Sequence, residues 1–323
     1  MPYGSGIVYG SGVVYGAGLV LISPDHGPLP GGTEVEISGF NLLDTSCDDP
    51  FDGVVVDPVK WTVATNGAGS AATESGGRLH LVAGAAVGSY ARITSIDTLL
   101  DTDIEVDYAV QTDVLALMPA GPVELAAFRL LIDANNYVQI ARKAGGSYGH
   151  RYEVVVVVGG VTIEAAYLST SDLSGSFRII RRDATVYLYA GTTEVLRRTG
   201  FPTTAAQARV SVNNLAVGYS IATDFNDFYV HTMVVLGTEP MLDAQALTNE
   251  RVIGTTPPGV RVATVPLYMA TCSLNLPILS NAFSYEDAAQ FVVLAPLSGE
   301  ISVAITNDTV LRNLRTNKPG FTR

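Results

Sequence analysis

The chain has 323 residues, of which 47% are hydrophobic and only 15% are charged, and 31 acidic against 19 basic residues give a formal net charge of −12. This much apolar material fills hydrophobic cores, which excludes a wholly disordered protein. The acidic balance argues against nucleic acid as the main partner, because phosphate binding needs clustered Lys and Arg, and no apolar run reaches the roughly 18 residues of a membrane span.

The chain opens with a repeat of six residues, in which Tyr3, Tyr9 and Tyr15 each start a Tyr-Gly-containing hexad. Because six is even, an extended strand would place all three tyrosines on one face and leave the other face nearly bare. Residues 1–19 are therefore interpreted as an assembly arm that adds to a neighbouring subunit, with a flexible glycine linker as the alternative. The start also lacks a secretory signal, so we expect no Sec export.

Short alternating apolar runs bounded by Gly, Asn, Asp or Pro dominate the rest of the chain, a pattern typical of strands joined by turns. The clearest runs are residues 78–82, 103–108, 152–158, 184–189 and 208–212. Only residues 286–291 suggest a short helix. The sequence therefore predicts an all-β protein built of sandwiches.

Residues 19–42 contain Ser-Pro-x-x-Gly-Pro, then Gly-Gly-Thr, an alternating strand and Gly-x-Asn. The segment resembles the opening of an IPT/TIG domain, an immunoglobulin-like sandwich. The matching residues are Pro24, Gly27, Pro28, Gly31, Gly32, Thr33, Gly39 and Asn41. The second half expected of that family appears only from about residue 234. We therefore predict one sandwich from residues 20–46 plus 232–286, interrupted by an inserted domain, which chains tolerate at exposed loops.

The insertion, residues 47–231, has an order of short motifs that resembles a concanavalin A-like, or laminin G-like, jelly roll. The motifs are residues 49–53, 57–61, 76–81, 91–94, 128–133, 177–182 and 226–230. The resemblance implies two curved antiparallel sheets. Trp61, the single tryptophan, is expected to pack between them near the entry of the domain, with sugar stacking as the alternative role.

This fold class includes laminarinase-type glycoside hydrolases, which place Glu, Asp and Glu on alternate residues of one strand. The nearest equivalent is Glu105, Asp107 and Ala109. Retaining hydrolysis needs two carboxyl groups about 5 Å apart, and Ala109 stands where the second would be. We therefore predict no catalytic residue and no enzyme activity, and interpret Glu105 and Asp107 as a solvated strand face.

No zinc-ligand spacing or cofactor-binding motif is present, so no cofactor is predicted. Four acidic residues near the junction of the two domains, Asp49, Asp52, Asp224 and Asp227, are weak candidates for a calcium site. A solvated loop is the favoured interpretation of these residues.

Cys47 and Cys272 both belong to the split sandwich and are candidates for one disulfide, although a cytosolic origin would disfavour it. The basic residues Arg178, Arg181 and Arg182 are interpreted as a solubilising surface or as contacts to carboxylates of neighbouring copies. Residues 287–323 contain one strand, at 300–305, followed by a polar tail that we expect a partner to order.

These features together suggest a non-enzymatic structural protein of a tailed-bacteriophage virion, either a tail or fibre component or a capsid decoration. The arms would dock it to other virion proteins and to copies of itself, and the lectin-like domain would face host-surface glycans. Its location would be the virion, assembled in the host cytoplasm. The alternative is a secreted or cell-surface carbohydrate-binding adhesin.

Overall fold

The computed structural model describes residues 18–40, 42, 45–111, 123–145, 149–215, 220–248, 250–259, 261, 263–271, 279–286, 291–294 and 302–305. Within these residues the secondary structure is strands and turns without a helix. Accordingly, the described part of the chain holds no helix long and apolar enough to cross a membrane. The prediction of an all-β protein is confirmed.

The strands in chain order are β1 (Gly18–Ser23), β2 (His26–Pro28), β3 (Glu34–Phe40), β4 (Trp61–Asn66), β5 (Ala71–Glu74), β6 (Leu79–Ala83), β7 (Tyr90–Ser95), β8 (Thr102–Val110), β9 (Val123–Asp133), β10 (Asn136–Ala144), β11 (Arg151–Val158), β12 (Val161–Ser169), β13 (Ser174–Arg182), β14 (Thr185–Ala190), β15 (Thr193–Thr199), β16 (Gln207–Asn213), β17 (Ile221–Val230), β18 (Met233–Leu236), β19 (Glu239–Pro240), β20 (Gln245–Thr248), β21 (Arg251–Thr255), β22 (Ala263–Ala270), β23 (Leu279–Glu286), β24 (Phe291–Leu294) and β25 (Ser302–Ile305).

Two seven-stranded antiparallel sheets form a jelly roll. Sheet I has the order β12-β11-β10-β9-β16-β7-β4, and sheet II has the order β15-β14-β13-β8-β17-β6-β5. Burial alternates along the strands: in β8, Ile104, Val106 and Tyr108 enter the core between the sheets, while Glu105 and Asp107 point the other way. This period of two is what a sheet with one face on the core requires.

Trp61 lies in this core, with 3% of its surface exposed. Its ring meets Phe228 edge-on at 5.0 Å between centroids and lies 6.0 Å from Phe51. The indole N–H donates to Asp49 Oδ2 at 2.6 Å. The prediction that Trp61 packs between the sheets at the entry of the domain is confirmed.

A second sandwich combines strands from both sides of the jelly roll in the chain. Sheet III has the order β1-β3-β21-β20, and sheet IV has the order β19-β18-β22-β23-β2. Here β3 pairs with β21, and β2 pairs in parallel with β23. The core between these sheets contains Ile37, Val252, Met269 and Phe283.

The second sandwich packs on the outer face of sheet II. Three side chains of sheet II, Ile180, Tyr187 and Tyr189, form a buried cluster with four from sheet IV, namely Met233, Val235, Tyr268 and Ala270. The Tyr187 hydroxyl donates to the Thr238 carbonyl at 2.8 Å. The outer face of sheet I lies on the opposite side of the jelly roll from this contact.

The inner residues of the short helix predicted at residues 286–291, residues 287–290, lie outside the described residues. Its two end residues lie in strands: Glu286 ends β23 and pairs with Pro28 of β2, and Phe291 begins β24 and pairs with Ile305 of β25. The strand predicted at residues 300–305 is present as β25, which pairs with β24. The arm tyrosines Tyr3, Tyr9 and Tyr15 lie outside the described residues.

Candidate functional site

The outer face of sheet I carries an unusual concentration of polar and charged side chains. The strand register places them in three rows that cross the sheet, two residues apart on every strand except β9, where a bulge makes the second step three, so that all of them share one face. The rows are Thr94, Arg209, Arg129 and Gln139; then Arg92, Ser211, Ala127, Ala141, Glu153 and Tyr167; then Tyr90, Asn213, Glu124, Lys143 and Arg151.

A β-bulge in β9 brings Glu124 onto this face. Glu124 pairs with Lys143 and Ala126 pairs with Arg142, so Leu125 is an extra residue in the strand. Without that extra residue, Glu124 and Arg129, which are an odd number of positions apart, would point to opposite faces. Bulges commonly re-aim a side chain near functional sites. Here the bulge adds a carboxylate to the middle of the face.

Glu124 is 4% exposed and is held from several sides. Its Oε2 accepts a hydrogen bond from Gln139 Nε2 at 2.9 Å, and its Oε1 accepts one from Asn213 Nδ2. Arg129 Nη2 lies 3.5 Å from Oε1, and Lys143 Nζ lies 3.7 Å from Oε2. A buried carboxylate needs such partners to satisfy its two oxygens.

Glu153 is the second carboxylate of the face, with 9% of its surface exposed. It accepts hydrogen bonds from Lys143 Nζ and from Arg151 Nη2. Burial acts to raise the pKa of Glu153, but the hydrogen bonds and charges of Lys143 and Arg151 outweigh it and hold that pKa below its ordinary value. Glu153 is therefore ionised at neutral pH.

Lys143 connects the two carboxylates, because its ammonium group hydrogen-bonds Glu153 and lies within salt-bridge distance of Glu124. A cleft of about 260 Å³ opens beside this cluster and is lined by Lys143, Arg151, Glu153 and Tyr167 among others. The Arg151 guanidinium stacks over the Tyr167 ring at 4.2 Å from its centroid. The cleft thus offers a carboxylate, two cations and an aromatic ring to a ligand.

Glu105 and Asp107 lie on sheet II, the other side of the jelly roll, and are partly buried rather than solvated as predicted. Glu105 Oε2 lies 2.9 Å from His231 Nε2. Burial acts to raise the pKa of Glu105, but His231 and Ser176 hold it below its usual value. Burial and the neighbouring charges of Glu105 and Asp227 raise the pKa of Asp107.

The four acidic residues considered for calcium are not gathered into one site. Asp49 accepts from Trp61 and from the Phe51 N–H, and Asp224 Oδ1 lies 2.7 Å from His80 Nδ1. Asp52 is exposed, and Asp227 adopts a left-handed backbone with φ of 45°. Within the described part of the chain, no group of three or more His, Cys, Asp or Glu residues is arranged to hold a metal ion.

The structure also bears on the predictions made for the basic residues and for the cysteines. The basic residues Arg178 and Arg182 are not a solubilising surface: Arg178 forms a two-armed ion pair with Asp103, and Arg182 Nη1 donates to the Gly237 carbonyl of the second sandwich. Arg181 is buried and donates to the Thr203 carbonyl. Cys47 is disulfide-bonded, whereas Cys272 lies outside the described residues.

No protein-family model and no curated protein matches the chain. Solved structures do resemble it. A β-glucanase from Bacillus licheniformis is 12% identical, with a TM-score of 0.45, and the match covers 57% of this chain and 96% of that one. The catalytic domain of an endo-1,3-β-glucanase (laminarinase) from Thermotoga petrophila is 14% identical over 58% of this chain and 96% of its own, with a TM-score of 0.44.

A third structure, described under endo-acting O-glycanases of the human gut microbiota, is 14% identical over 58% of this chain and 98% of its own, with a TM-score of 0.46. The prediction of a non-enzymatic bacteriophage virion protein is contradicted, because these neighbours are glycoside hydrolases. Identities of 12–14% describe a shared fold, so any activity of this chain has to be argued from its own residues.

The sequence pattern drew attention to the carboxylates of β8, whereas the polar residues lie on the face of sheet I. Its residues were visible as isolated polar positions inside apolar strands: Arg129 within β9, Gln139 within β10 and Glu153 within β11. Such positions signal an outward face. Their convergence was hidden because it depends on cross-strand register and on the bulge beside Glu124.

Proposed function

We propose that this chain is a carbohydrate-active enzyme of the glycoside-hydrolase type, whose substrate lies on the outer face of sheet I. The observation that carries the proposal is the carboxylate pair Glu124 and Glu153, both in contact with the ammonium of Lys143 beside a cleft. Two oxygens that contact one nitrogen are at most about 6–7 Å apart, which accommodates the roughly 5–5.5 Å used by retaining enzymes.

The two carboxylates take different roles in this proposal because their surroundings differ. Glu153, held ionised by Lys143 and Arg151, is the nucleophile that bonds to the anomeric carbon as the glycosidic C–O bond breaks. Glu124, which is the more deeply buried and is hydrogen-bonded by two neutral amides, delivers a proton to the leaving oxygen. Water then cleaves the glycosyl–enzyme bond and returns the proton to Glu124.

On this proposal, a bound substrate has to displace the Lys143 ammonium. The Lys143 ammonium lies between the carboxylates of the free protein, and a sugar ring in the cleft displaces it. Glu124 then loses one of its two nearby cations and keeps Arg129 and the amides of Gln139 and Asn213 as neighbours. Tyr167, 58% exposed and stacked under Arg151, provides an aromatic side chain for a sugar ring to contact.

The test measures reducing ends released from a panel of neutral and acidic polysaccharides by the full chain. We expect Glu153→Gln and Glu124→Gln each to lower the rate at least about 100-fold, measured at a temperature at which circular dichroism shows each variant to be folded. Glu105→Gln, on the opposite sheet, is the matched control and should retain activity. Cleavage that survives in Glu153→Gln, or no cleavage of any polymer by the parent, rejects the proposal.

We further propose that sheets III and IV form an IPT/TIG-type immunoglobulin-like domain. Support comes from the motif glycines: a Cβ on Gly31, whose φ is 78°, would lie 2.6 Å from the Pro257 backbone, and one on Gly27 would lie 2.2 Å from Thr33 Oγ1. Both positions therefore require glycine. On this proposal residues 20–46 and 232–286 are one domain that carries the jelly roll as an insertion, with residues 1–19 and 287–323 as arms.

A further inference from the structure

We infer that Arg92, Arg129 and Arg209 form a binding site for an anionic group on the glycan, so that the substrate is an acidic polysaccharide whose sugars carry carboxylate or sulfate groups. This inference rests on the proposed function, and it concerns one end of the same face of sheet I. The three arginines come from β7, β9 and β16, which are neighbouring strands in the order β9-β16-β7.

The register places three guanidinium groups side by side. Arg209 is directly opposite Arg129, and Arg92 is opposite Ser211, two residues along the same face of β16. Like charges directly opposite each other across strands are destabilising. Burial, followed by the neighbouring charges of Arg92 and Arg129, lowers the pKa of Arg209 to about 10. The cluster therefore carries repulsion that a bound anion would relieve.

Most of the other arginines that the structure describes lie within salt-bridge distance of a carboxylate. Arg178 pairs with Asp103, Arg197 with Glu194 and Glu239, and Arg251 with Glu36. By contrast, among the residues that the structure describes, no carboxylate lies within salt-bridge distance of Arg92 or Arg209. Arg129, the third arginine, has Glu124 Oε1 at 3.5 Å from its Nη2.

The orientation of the arginines is fixed by uncharged neighbours. Arg92 lies over the Tyr90 ring at 4.5 Å from its centroid, and Arg129 lies over Tyr137 at 5.1 Å. Arg209 Nε donates to Thr94 Oγ1 at 3.0 Å, which leaves its two terminal nitrogens without a hydrogen bond among the described residues. Stacked, pre-oriented guanidinium groups suit two-armed recognition of a carboxylate or sulfate.

The position of the cluster connects it to the carboxylate pair. Arg129 contacts Glu124 and also donates from Nε to Gln139 Oε1, so one network joins the arginines to the proposed acid. A polysaccharide crossing the strands would therefore place an acidic sugar over Arg92, Arg129 and Arg209 while a neighbouring sugar lies near Glu124 and Glu153. Neutral glucans would lack the group that this end of the face recognises.

The experiment measures binding to the full chain by calorimetry with three probes: an oligogalacturonate, a sulfated chondroitin oligosaccharide and a neutral laminari-oligosaccharide. We expect at least one acidic probe to bind, with affinity that falls as salt rises, and the neutral probe to bind at least tenfold more weakly. Which acidic probe binds decides between carboxylate and sulfate. Arg209→Gln and Arg92→Gln should each weaken acidic binding about tenfold or more.

Arg251→Gln, which removes the same charge on sheet III, is the control and should bind as the parent does. Thermal unfolding separates recognition from a structural role, because Arg209→Gln relieves repulsion and should not lower the melting temperature. Equal binding of neutral and acidic probes, or acidic binding unchanged in Arg209→Gln, overturns the inference while leaving the hydrolase proposal intact. Acidic binding without cleavage of any polymer would instead reject only the hydrolase.

Discussion

Glu74 is a carboxylate that the fold buries without fully compensating it. It is 4% exposed, its Oε1 has no hydrogen-bond partner among the described residues, and the carboxylate accepts from backbone N–H groups of Gly53 and Asp57. Burial is the main cause of its raised pKa, and the nearby charge of Asp49 adds to it. The folded protein therefore favours the protonated form of Glu74 more than the unfolded chain does.

Glu74→Gln should accordingly raise the melting temperature at neutral pH. A group whose pKa is raised on folding contributes stability below its unfolded pKa and loses that contribution as the pH rises through its folded pKa. The variant's advantage should therefore be present at pH about 7 and disappear at pH about 4, where both side chains are neutral. Calorimetric melts across that range test this, and a Glu74→Gln variant less stable than the parent at neutral pH would contradict it.

At the scale of single elements, Asp49 is one of the residues that attach the segment before β4 to the jelly roll. The Trp61 indole donates to buried Asp49, and Asp49 pairs with Phe228 of β17 in an isolated bridge. The Trp61 side chain therefore both fills space in the core and donates a hydrogen bond to the Asp49 carboxylate. Removing the indole nitrogen therefore affects packing and electrostatics together.

Trp61→Phe should lower the free energy of unfolding by about 2–4 kcal/mol, because it leaves the Asp49 carboxylate with one donor fewer and opens space beside Phe228. Urea unfolding followed by circular dichroism measures the change, since the variant lacks the only tryptophan. Asp52→Ala, at an exposed neighbouring position, serves as the control and should stay within about 0.5 kcal/mol of the parent. An unchanged urea midpoint for Trp61→Phe would show that the contact is dispensable.

At the scale of the whole molecule, the second sandwich and sheet II share a buried interface. Tyr268 donates to Asp101 Oδ2 at 2.6 Å, and Arg178 Nη1 donates to the Leu242 carbonyl at 2.7 Å. Val235, 0% exposed, lies in the apolar cluster between them. The two sandwiches are therefore expected to unfold together.

Val235→Asp places an unpaired charge in that interface, at a cost of about 3–5 kcal/mol. We expect scanning calorimetry to show one transition for the parent and two separated transitions for the variant. Leu247→Asp, at an exposed position on β20, is the matched control and should preserve the single transition. A single unshifted transition for Val235→Asp would mean that the interface contributes little to stability.

The local pattern of the sequence determined much of the fold. Alternation such as that of residues 104–108, bounded by turn residues, indicates strands with one buried face, because a period of two follows from strand geometry alone. The order of short motifs, through its resemblance to a known fold, indicated the jelly roll, and the single tryptophan, Trp61, was correctly placed in its core. The alternation depends on neighbours within a few residues and the jelly roll on the order of motifs along the chain, so no tertiary information was needed to find either.

Only the tertiary structure decided where the candidate site lies. Sequence spacing directed attention to Glu105 and Asp107, but Arg92, Arg129 and Arg209 meet only because β7, β16 and β9 pair in one register. The bulge that turns Glu124 outward and the second sandwich that covers sheet II are equally non-local. Alternation shows which residues of a strand share a face, whereas pairing between distant segments decides which faces meet and which remain open to a ligand.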